Sequence, residues 1–469
     1  MNDIRNCNSI LVNNYADYIR YTTRFRNYPD IVDGCKPSHR RCIHQIYKDC
    51  PKHFVKAATA IGSVVKAHPH PSSIFGTLIP LTQKDGPFPI FDGQGNWGSK
   101  IPQSEASAER YVEIKISDLS SIIFESFSDF VDMVEGDLNN IEPERLATFL
   151  PLSLINGTYS IPTGMSTVDS PPLWAPDLCD YAIEVLRGKD LSKISDVFIR
   201  PNLGDVQIKS SRADWKNLIE TGQGKISILP KIKITGDKRL EIVALPDTKT
   251  IEHVNKILQT ELDRDQIDVR DETTKNLSIV VEILPYKKVN IETLAKRLTS
   301  KLTTTRGYRM IYSNDGAATF CGVYTNMRYC LEYLVKCAQR WSNKSVEDLS
   351  KKLKIFEAIE SLKIDGNLTK LPKMGKNESI QFITKTYGIT EPEAKEVLSK
   401  PISYITKEHD AEIKSLRKDL SNMKKIDSDI YSYLIGRYED IKKKIQEKFS
   451  DRNPTTFYTA KSRMKNLVS

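Results

Sequence analysis

The stretch GQGNWGSKIPQSEASAERY, residues 93–111, decides between two different folds. Its opening residues satisfy G-x-G-x-x-G, the pattern of a turn that holds a dinucleotide at the start of a helix. That fold needs a strand before the glycines and a helix among them. Here Pro87 and Pro89 disfavour a central strand, and Pro102 would interrupt a helix before its second turn. The context therefore favours a glycine-rich loop that presents Arg110 and Tyr111 at its end.

The composition is typical of a globular chain of several domains. Its 469 residues are 39% hydrophobic and 28% charged, which suffices for a sizeable core. No apolar run approaches the ~20 residues that a membrane helix requires. The N-terminus lacks a basic segment followed by an apolar one, so we expect no secretory signal. These features predict an intracellular protein without a membrane partner.

Cysteine and histidine cluster near residue 42 without the spacing of a metal site. Cys35, Cys42 and Cys50 lie too far apart for a C-x2-4-C pair, although His39 and His44 are separated by a spacing that zinc sites use. We therefore expect no metal ligand set in this chain. Reduced thiols on helices are the simpler interpretation.

Basic residues concentrate in one segment of a chain whose net charge is +9. Such a segment is typical of a surface that binds phosphates, while an ordinary solvated helix face is the alternative. The residues are Arg20, Arg24, Arg26, Lys36, Arg40, Arg41, Lys48, Lys52, Lys56 and Lys66.

Two short helices around a tight turn are predicted at the end of this basic segment. Residues 57–66 are alanine-rich and periodic, and HPHP at 68–71 forces a turn. Ser72 or Ser73 can then cap the next helix. The arrangement resembles a helix-turn-helix that reads DNA.

The second half of the chain changes from mixed to helical. From about residue 151, β-rich runs alternate with helical ones and predict an α+β region. From about residue 323 the pattern is helical. Apolar residues at spacings of three and four indicate a coiled-coil seam, although two helices packed within one chain would give the same spacing. The seam comprises Ile413, Leu416, Leu420 and Met423, and the facing helix is predicted to carry Leu349, Leu353 and Phe356.

Five segments follow one another in a specific order: PDIVDGCKPSHRR (29–41), HPHP (68–71), GQGNWGS (93–99), ASAERYVE (106–113) and NGTYSIPTGMST (156–167). Together they resemble one family, the DNA breakage-and-reunion subunit of type IIA topoisomerases, which includes gyrase A and topoisomerase IV A. The chain departs from the family pattern where Pro71 and Ser72 replace a glycine and an acid.

The resemblance implies catalytic roles for Tyr111, Arg110 and His70. A phenol has a pKa of about 10 and is a poor nucleophile at neutral pH without help. Tyr111 would attack a DNA phosphate and form a 5′-phosphotyrosyl link. Arg110 would favour the phenolate and neutralise charge in the transition state. His70 would assist proton transfer or polarise the phosphate.

The basic segment and the resemblance together nominate a DNA-binding set. Ile161 resembles the family's wedge, an apolar side chain inserted between base pairs to kink DNA. A core isoleucine beside a turn is the alternative for this residue. The remaining nominated residues are Arg26, Lys36, His39, Arg40, Arg41, Lys66, His68 and Ser73.

The resemblance further implies a multidomain α+β architecture. Its parts are an N-terminal helical arm (1–25), a winged-helix domain built on the helix-turn-helix (26–150), a mixed α/β tower (151–325) and a coiled-coil C-gate that dimerises (326–469). No segment matches the family's Toprim metal site or its ATPase. We therefore expect Mg²⁺ and ATP to be bound by a partner subunit, in a heterotetramer on double-stranded DNA. The location that the resemblance implies is the cytoplasm or nucleoid, which is the host cytoplasm if the chain is phage-encoded.

The predicted activity is ATP-dependent strand passage by relaxation or decatenation, because no DNA-wrapping domain follows the helical region. This short form most resembles the medium subunit of tailed-phage topoisomerases. The alternative is a non-enzymatic architectural protein that binds DNA and has kept the fold.

Overall fold

The structure, a computed structural model, falls into two compact units. One comprises Met1–Leu334 with Ile435–Ser469, and the other is Val335–Leu434. The four segments predicted from the sequence, with boundaries after residues 25, 150 and 325, stay predictions. The residues that the structure describes are 7–50, 52–68, 70–100, 104–136, 138–162, 167–191, 197–262, 267–274, 277–285, 289–405 and 407–458.

The first part of the larger unit contains short helices and short strands. The helices are α1 (Cys7–Phe25), α2 (Pro37–Asp49), α3 (Ala57–Val65), α4 (Pro71–Thr82), α5 (Asp118–Glu125) and α6 (Leu152–Asn156). The strands are β1 (Val55–Lys56), β2 (Phe91–Gln94), β3 (Trp97–Ser99), β4 (Ser104–Ala106), β5 (Glu113–Ile116), β6 (Met133–Glu135), β7 (Ile141–Pro143), β8 (Thr158–Ser160) and β9 (Val168–Ser170).

Helices α3 and α4 confirm the predicted helix pair after the basic segment. The predicted serine cap is wrong, because His70 is the N-cap residue and the helix begins at Pro71. Proline suits this position since its missing N–H would have no partner in the first turn. Ser73 instead lies inside that turn, where its hydroxyl donates to the His70 carbonyl at 2.8 Å. Pro69 lies outside the described residues.

The GQGNWGS loop is built from strands and excludes the dinucleotide fold. Strand β2 is an edge strand of a three-stranded sheet with β5 at its centre, and β3 pairs with β4 in a separate ladder. Gly98 has a φ of +73°, and a Cβ there would lie 2.8 Å from the Ser104 carbonyl oxygen. A Cβ on Gly93 would meet the Trp97 ring at 2.6 Å. Glycine is therefore needed at these two positions because a side chain would clash with the neighbouring strand or with the Trp97 ring.

The second part of the larger unit is mixed α+β, in agreement with the prediction for the region after residue 151. Its helices are α7 (Ala175–Gly188), α8 (Arg212–Thr221), α9 (Ile251–Leu262) and α10 (Ile291–Leu302). The strands are β10 (Gln207–Ile208), β11 (Gln223–Leu229), β12 (Lys231–Gly236), β13 (Arg239–Ala244), β14 (Ile267–Asp271), β15 (Ile279–Ile283), β16 (Thr304–Arg309), β17 (Ile311–Asn314), β18 (Ala317–Phe320) and β19 (Thr456–Phe457).

Two sheets organise this part. A six-stranded sheet has the order β19-β10-β11-β16-β9-β8, so β8 lies at its edge. A four-stranded sheet, β12-β13-β15-β14, shares an apolar core with α9 and α10 that includes Leu240, Leu258 and Leu298. Tyr159 on this edge strand and Ile161 immediately after it are exposed.

The remaining helices are α11 (Val323–Ile364), α12 (Lys376–Tyr387), α13 (Glu391–Ser399), α14 (Ile402–Ile405), α15 (Asp410–Ser428) and α16 (Ile430–Lys448). In the smaller unit α11 and α15 run antiparallel. Gln339 donates to Asp427 at 2.8 Å, and Arg417 donates to Glu357 at 2.8 Å. Leu353, predicted on the facing helix, lines one cleft with Leu420 of the seam. The seam thus packs within one chain, and a dimeric coiled coil stays a prediction.

Over the described ranges, no helix combines the length and the apolar character that crossing a bilayer demands.

Candidate active site and nucleic-acid interface

Tyr111 lies on a tight turn between β4 and β5 that is fixed to the start of α3. Its N–H donates to the Ala108 carbonyl at 2.9 Å, and the Val112 carbonyl accepts from the Ala57 N–H at 2.9 Å. Val112 is fully buried, whereas Tyr111 is 64% exposed. The buried neighbour therefore holds the backbone while the phenol faces solvent, as a nucleophile for a macromolecular substrate requires.

Arg110 lies against the tyrosine that it precedes. Its guanidinium carbon is 4.7 Å from the centroid of the Tyr111 ring, and both side chains are exposed. A guanidinium in this position attracts the ring and keeps a permanent positive charge close to the phenol. The turn thus exposes a potential nucleophile and a cation side by side to solvent.

His68, His70 and Ser73 meet at the start of α4. His68 Nε2 is 3.0 Å from Ser73 Oγ, which itself donates to the His70 carbonyl. Arg41 Nη1 lies 3.3 Å from His68 Nδ1. Because Arg41 can only donate, Nδ1 accepts and the proton of neutral His68 lies on Nε2. Within the described residues no hydrogen bond joins His70 to Tyr111, so the sequence-predicted catalytic set is only partly brought together.

Arg41 is held by a carboxylate that sequence reasoning did not identify. It is 6% exposed, and its Nε and Nη2 each lie 2.8 Å from an oxygen of Glu142. A bidentate buried pair of this kind is geometrically specific. Arg41, whose charge is paired with Glu142, therefore orients the His68 ring. No sequence signal links Arg41 to Glu142, which lies in β7, far along the chain.

Arg40 is also engaged within the protein. Its Nε lies 2.7 Å from Asp33 Oδ2, and Asp30 lies 3.8 Å from its Nη2. Burial lowers the pKa of Arg40, but the charges of Asp33 and Asp30 and the hydrogen bond to Asp33 together outweigh burial and raise that pKa above its ordinary value. Asp33 belongs to the PDIVDG segment, which is part of the family motif. Asp33 was assigned no role from the sequence, although its place in that motif indicated one.

Lys36 and His39 occupy partly buried positions at the start of α2. Lys36 Nζ donates to the Tyr159 carbonyl at 3.1 Å, and burial lowers its pKa. Burial and the nearby Lys36 lower the pKa of His39 to about 3. His39 is therefore neutral at pH 7 and brings no positive charge to this surface.

We predict that the His39 imidazole stays neutral from pH 8 down to pH 5. Its pKa in the folded chain lies below the ordinary value of 6.5, so the unfolded chain binds more protons between about pH 6.5 and 3. The contribution of neutral His39 to the free energy of unfolding is therefore fully present above pH 6.5 and is lost as the pH falls from 6.5 towards 3. An NMR titration of the imidazole measures this directly, and a midpoint above pH 5 would contradict it. His39→Asn should show a shallower loss of stability on acidification than the native chain.

Arg26 and Lys66 are the exposed members of the nominated cationic set. The Arg26 guanidinium lies 5.5 Å from the Tyr21 ring centroid, and Lys66 Nζ lies 2.9 Å from Asp49. An exposed ion pair of the Lys66 kind is worth little and exchanges readily for another anion. These two side chains are therefore better placed to reach a phosphate than Arg40 or Arg41.

For duplex DNA, we predict that Arg26→Ala and Lys66→Ala each reduce the slope of log Kd against log salt concentration by about 1. Each replacement removes one cation that displaces a counterion. Fluorescence anisotropy at several salt concentrations gives the slopes. Lys216→Ala is the matched control, since Lys216 is also exposed and paired with a carboxylate, Glu220. If the native chain and all three variants gave equal slopes, Arg26 and Lys66 would not be DNA-phosphate contacts.

Ile161 projects from the chain immediately after β8. It is 52% exposed, so the alternative of a core isoleucine is excluded. The residues that follow in the family segment, 163–166, lie outside the described residues. An exposed apolar side chain beyond a sheet edge is suited to insertion between base pairs.

Metal ligands are not grouped in the described part of the chain. No three His, Cys, Asp or Glu side chains there are arranged to hold a metal ion, and Cys35, Cys42 and Cys50 are free thiols. These residues therefore do not fit a Mg²⁺ site, and we derive no step through a metal.

Comparison with known proteins agrees with the ordered segments. The pattern of one family, the A-type subunits of DNA gyrase and topoisomerase IV, matches residues 26–439. The A-type subunit of DNA topoisomerase 4 from Escherichia coli is 26% identical over 87% of this chain and 56% of its own length. DNA gyrase A of Staphylococcus epidermidis is 24% identical over 96% of this chain and 53% of its own length.

DNA gyrase A of Thermotoga maritima is 25% identical over 88% of this chain and 54% of its own length. The chain thus spans about half the length of these curated relatives. The family match includes Arg26, His70, the Arg110–Tyr111 turn and Ile161, and it covers most of both compact units. This chain therefore belongs to the family of gyrase A and topoisomerase IV A.

Proposed function

We propose that this chain is the DNA-cleavage and religation subunit of an ATP-dependent type II topoisomerase. The observation that carries the proposal is Tyr111, exposed on a fixed turn with the Arg110 guanidinium against its ring. Membership of the gyrase A and topoisomerase IV A family supports the same conclusion.

In the proposed reaction Tyr111 Oη attacks a backbone phosphorus and the bond from phosphorus to the 3′-oxygen breaks. The phenolic proton leaves the nucleophile, and the released 3′-oxygen takes up a proton. Arg110 stabilises the charge that develops on the phosphoryl oxygens. One phosphodiester is exchanged for another, so religation is the reverse step and needs no separate energy source. His70, at the start of α4, is assigned to proton transfer or to polarising the phosphate.

The proposed assembly contains two copies of this chain, each cutting one strand of a duplex. Helices of the smaller unit would carry the C-gate contact between the copies. We assign Mg²⁺ and ATP to a partner subunit with Toprim and ATPase domains, in a heterotetramer. Two copies are needed because each holds one of the two cut strands. A single subunit would release the broken duplex before a second duplex could pass through the break.

The DNA is proposed to be bent in the gate. Ile161 would insert at a base step, trading a few kcal/mol of unstacking for a duplex that contacts more protein. Arg26, Lys36 and Lys66 would contact flanking phosphates, and His68 and Ser73 would present hydrogen-bonding groups from the first turn of α4. Arg40 and Arg41 are assigned to holding this surface in shape.

Covalent trapping tests the proposal. The chain is mixed with a candidate ATPase–Toprim partner, labelled duplex and Mg²⁺ or Ca²⁺, and the mixture is quenched with SDS. Protein joined to the 5′ end of the break supports the topoisomerase. DNA binding without an adduct, under conditions in which a related enzyme forms one, would favour the architectural alternative.

A further inference from the structure

Tyr159 is an exposed aromatic side chain close to Ile161 in the chain. It is 58% exposed, a fraction similar to that of Ile161. It lies on β8, and side chains at alternate positions of an extended segment share a face. The family pattern NG-x-x-GI leaves the position of Tyr159 open, so the resemblance assigns it no role.

The backbone around Tyr159 is held from several directions. Its carbonyl accepts from Lys36 Nζ at 3.1 Å, and the next residue, Ser160, donates its hydroxyl to the Asn27 carbonyl at 2.9 Å. In the ladder between β8 and β9, Tyr159 pairs with Asp169. An exposed side chain on so constrained a backbone has a defined position before any ligand arrives.

The ring of Tyr159 is supported by Arg306. The guanidinium carbon lies 5.9 Å from the Tyr159 ring centroid and 5.3 Å from that of the buried Tyr308. Arg306 Nε and Nη2 lie 2.7 and 2.9 Å from the two oxygens of Asp169, and Nη1 pairs with Asp247. Two carboxylates thus fix the guanidinium and neutralise it. Arg306 therefore positions the ring, and it is poorly suited to binding a phosphate.

We propose that Tyr159 contacts DNA through its ring, beside the Ile161 wedge. The ring packs against the base or sugar that is uncovered where Ile161 separates a base step. A base that loses its neighbour regains stacking on an aromatic face, and this interaction tolerates any base. The inference rests on the proposed function, because it requires that the chain bends a duplex at Ile161.

The proposed contact has a distinctive dependence on salt. A tyrosine ring displaces no counterion, so its loss weakens binding without changing the slope of log Kd against log salt concentration. Loss of a phosphate-binding cation such as Lys66 reduces that slope. The two kinds of contact are therefore distinguishable on the same duplex.

The test uses the full chain with a candidate ATPase–Toprim partner and a duplex that carries a fluorescence donor and acceptor at its ends. Energy transfer reports bending, and anisotropy at several salt concentrations reports affinity. We expect Tyr159→Ala to bind roughly 10-fold more weakly, with an unchanged salt slope and a smaller bent fraction. Tyr159→Phe should match the native chain, because the ring rather than the hydroxyl makes the contact. Tyr18→Ala replaces another exposed tyrosine, on α1, and should also match the native chain.

Native affinity and bending in Tyr159→Ala would overturn the inference, as would a loss in Tyr159→Phe equal to that in Tyr159→Ala. Thermal unfolding followed by circular dichroism checks that the variants fold. If the native chain bends DNA and forms the Tyr111 adduct while Tyr159→Ala behaves normally, only this inference fails. If the native chain does neither, the proposed function itself fails.

Discussion

Replacing Tyr111 by phenylalanine should abolish covalent attachment to DNA and lower the cleavage rate by at least about 10³-fold. The substitution removes only the oxygen that would attack phosphorus. The ring keeps its shape and its contact with the Arg110 guanidinium, 4.7 Å away. The fold should be unaffected, since the 64% exposed phenol supplies no packing to the core, so affinity for duplex DNA should stay close to the native value.

A duplex labelled at its 3′ ends gives the clearest readout for this variant. A 5′-phosphotyrosyl link leaves protein on the fragment that carries the 3′ label, whereas a link to the 3′ end would leave it on the other fragment. Tyr18→Phe is the matched control, because it removes a hydroxyl from another exposed tyrosine. Undiminished adduct from Tyr111→Phe would assign the nucleophile to a different residue.

Replacing Asp33 by alanine should lower the free energy of unfolding by about 3–5 kcal/mol. Its side chain is fully buried and accepts from Arg40 Nε at 2.7 Å. It also accepts the backbone N–H groups of Cys35 at 2.8 Å and Leu146 at 2.9 Å. Removing the carboxylate leaves a largely desolvated guanidinium, with 12% of the Arg40 side chain exposed, without its main counter-charge. It also leaves two buried N–H groups without an acceptor.

Urea unfolding followed by tryptophan fluorescence measures the loss. Asp17→Ala is the control, since it also removes an aspartate from an arginine, Arg20, but in a pair whose two side chains are 73% and 76% exposed. That change should cost less than about 1 kcal/mol. A loss for Asp33→Ala as small as the control's would show that Arg40 finds another partner, with Asp30 the nearest candidate at 3.8 Å.

The helix pair α3 and α4 shows how much local sequence predicts. Alanine periodicity and a proline-rich turn identified both helices, because these signals act through the backbone of a few neighbouring residues. The exact start of α4 was missed. Ser72 and Ser73 are good caps by type, but Pro71 is suited to the first helical position and moves the cap to His70.

The basic segment shows what local sequence leaves open. Arg26, Arg40, Arg41 and Lys66 have the same charge in the sequence and received the same role. In the folded chain Arg41 is buried and Arg40 is partly buried, each paired with a carboxylate, while Arg26 and Lys66 stay exposed. A one-dimensional pattern does not record which cations are already neutralised, so only part of the predicted interface remains available to phosphates.

The sequence by itself determined the family and the candidate nucleophile. The segments around Pro29, His70, Gly93, Tyr111 and Ile161 follow in one order, and each requires particular residue types for its backbone or its chemistry. The pair Arg110 and Tyr111 takes its meaning from those ordered segments, because on its own a tyrosine beside an arginine is usually a strand-edge tyrosine with a neighbouring cation.

Only the tertiary structure decided how the surrounding side chains are used. Glu142 reaches Arg41, and Arg306 reaches Tyr159, across more than a hundred residues of chain. Burial makes His39 neutral and leaves Tyr111 and Ile161 exposed. These properties depend on desolvation and on charges brought close by folding, because the energy of a charge in a protein is set by its distance to other charges and to water.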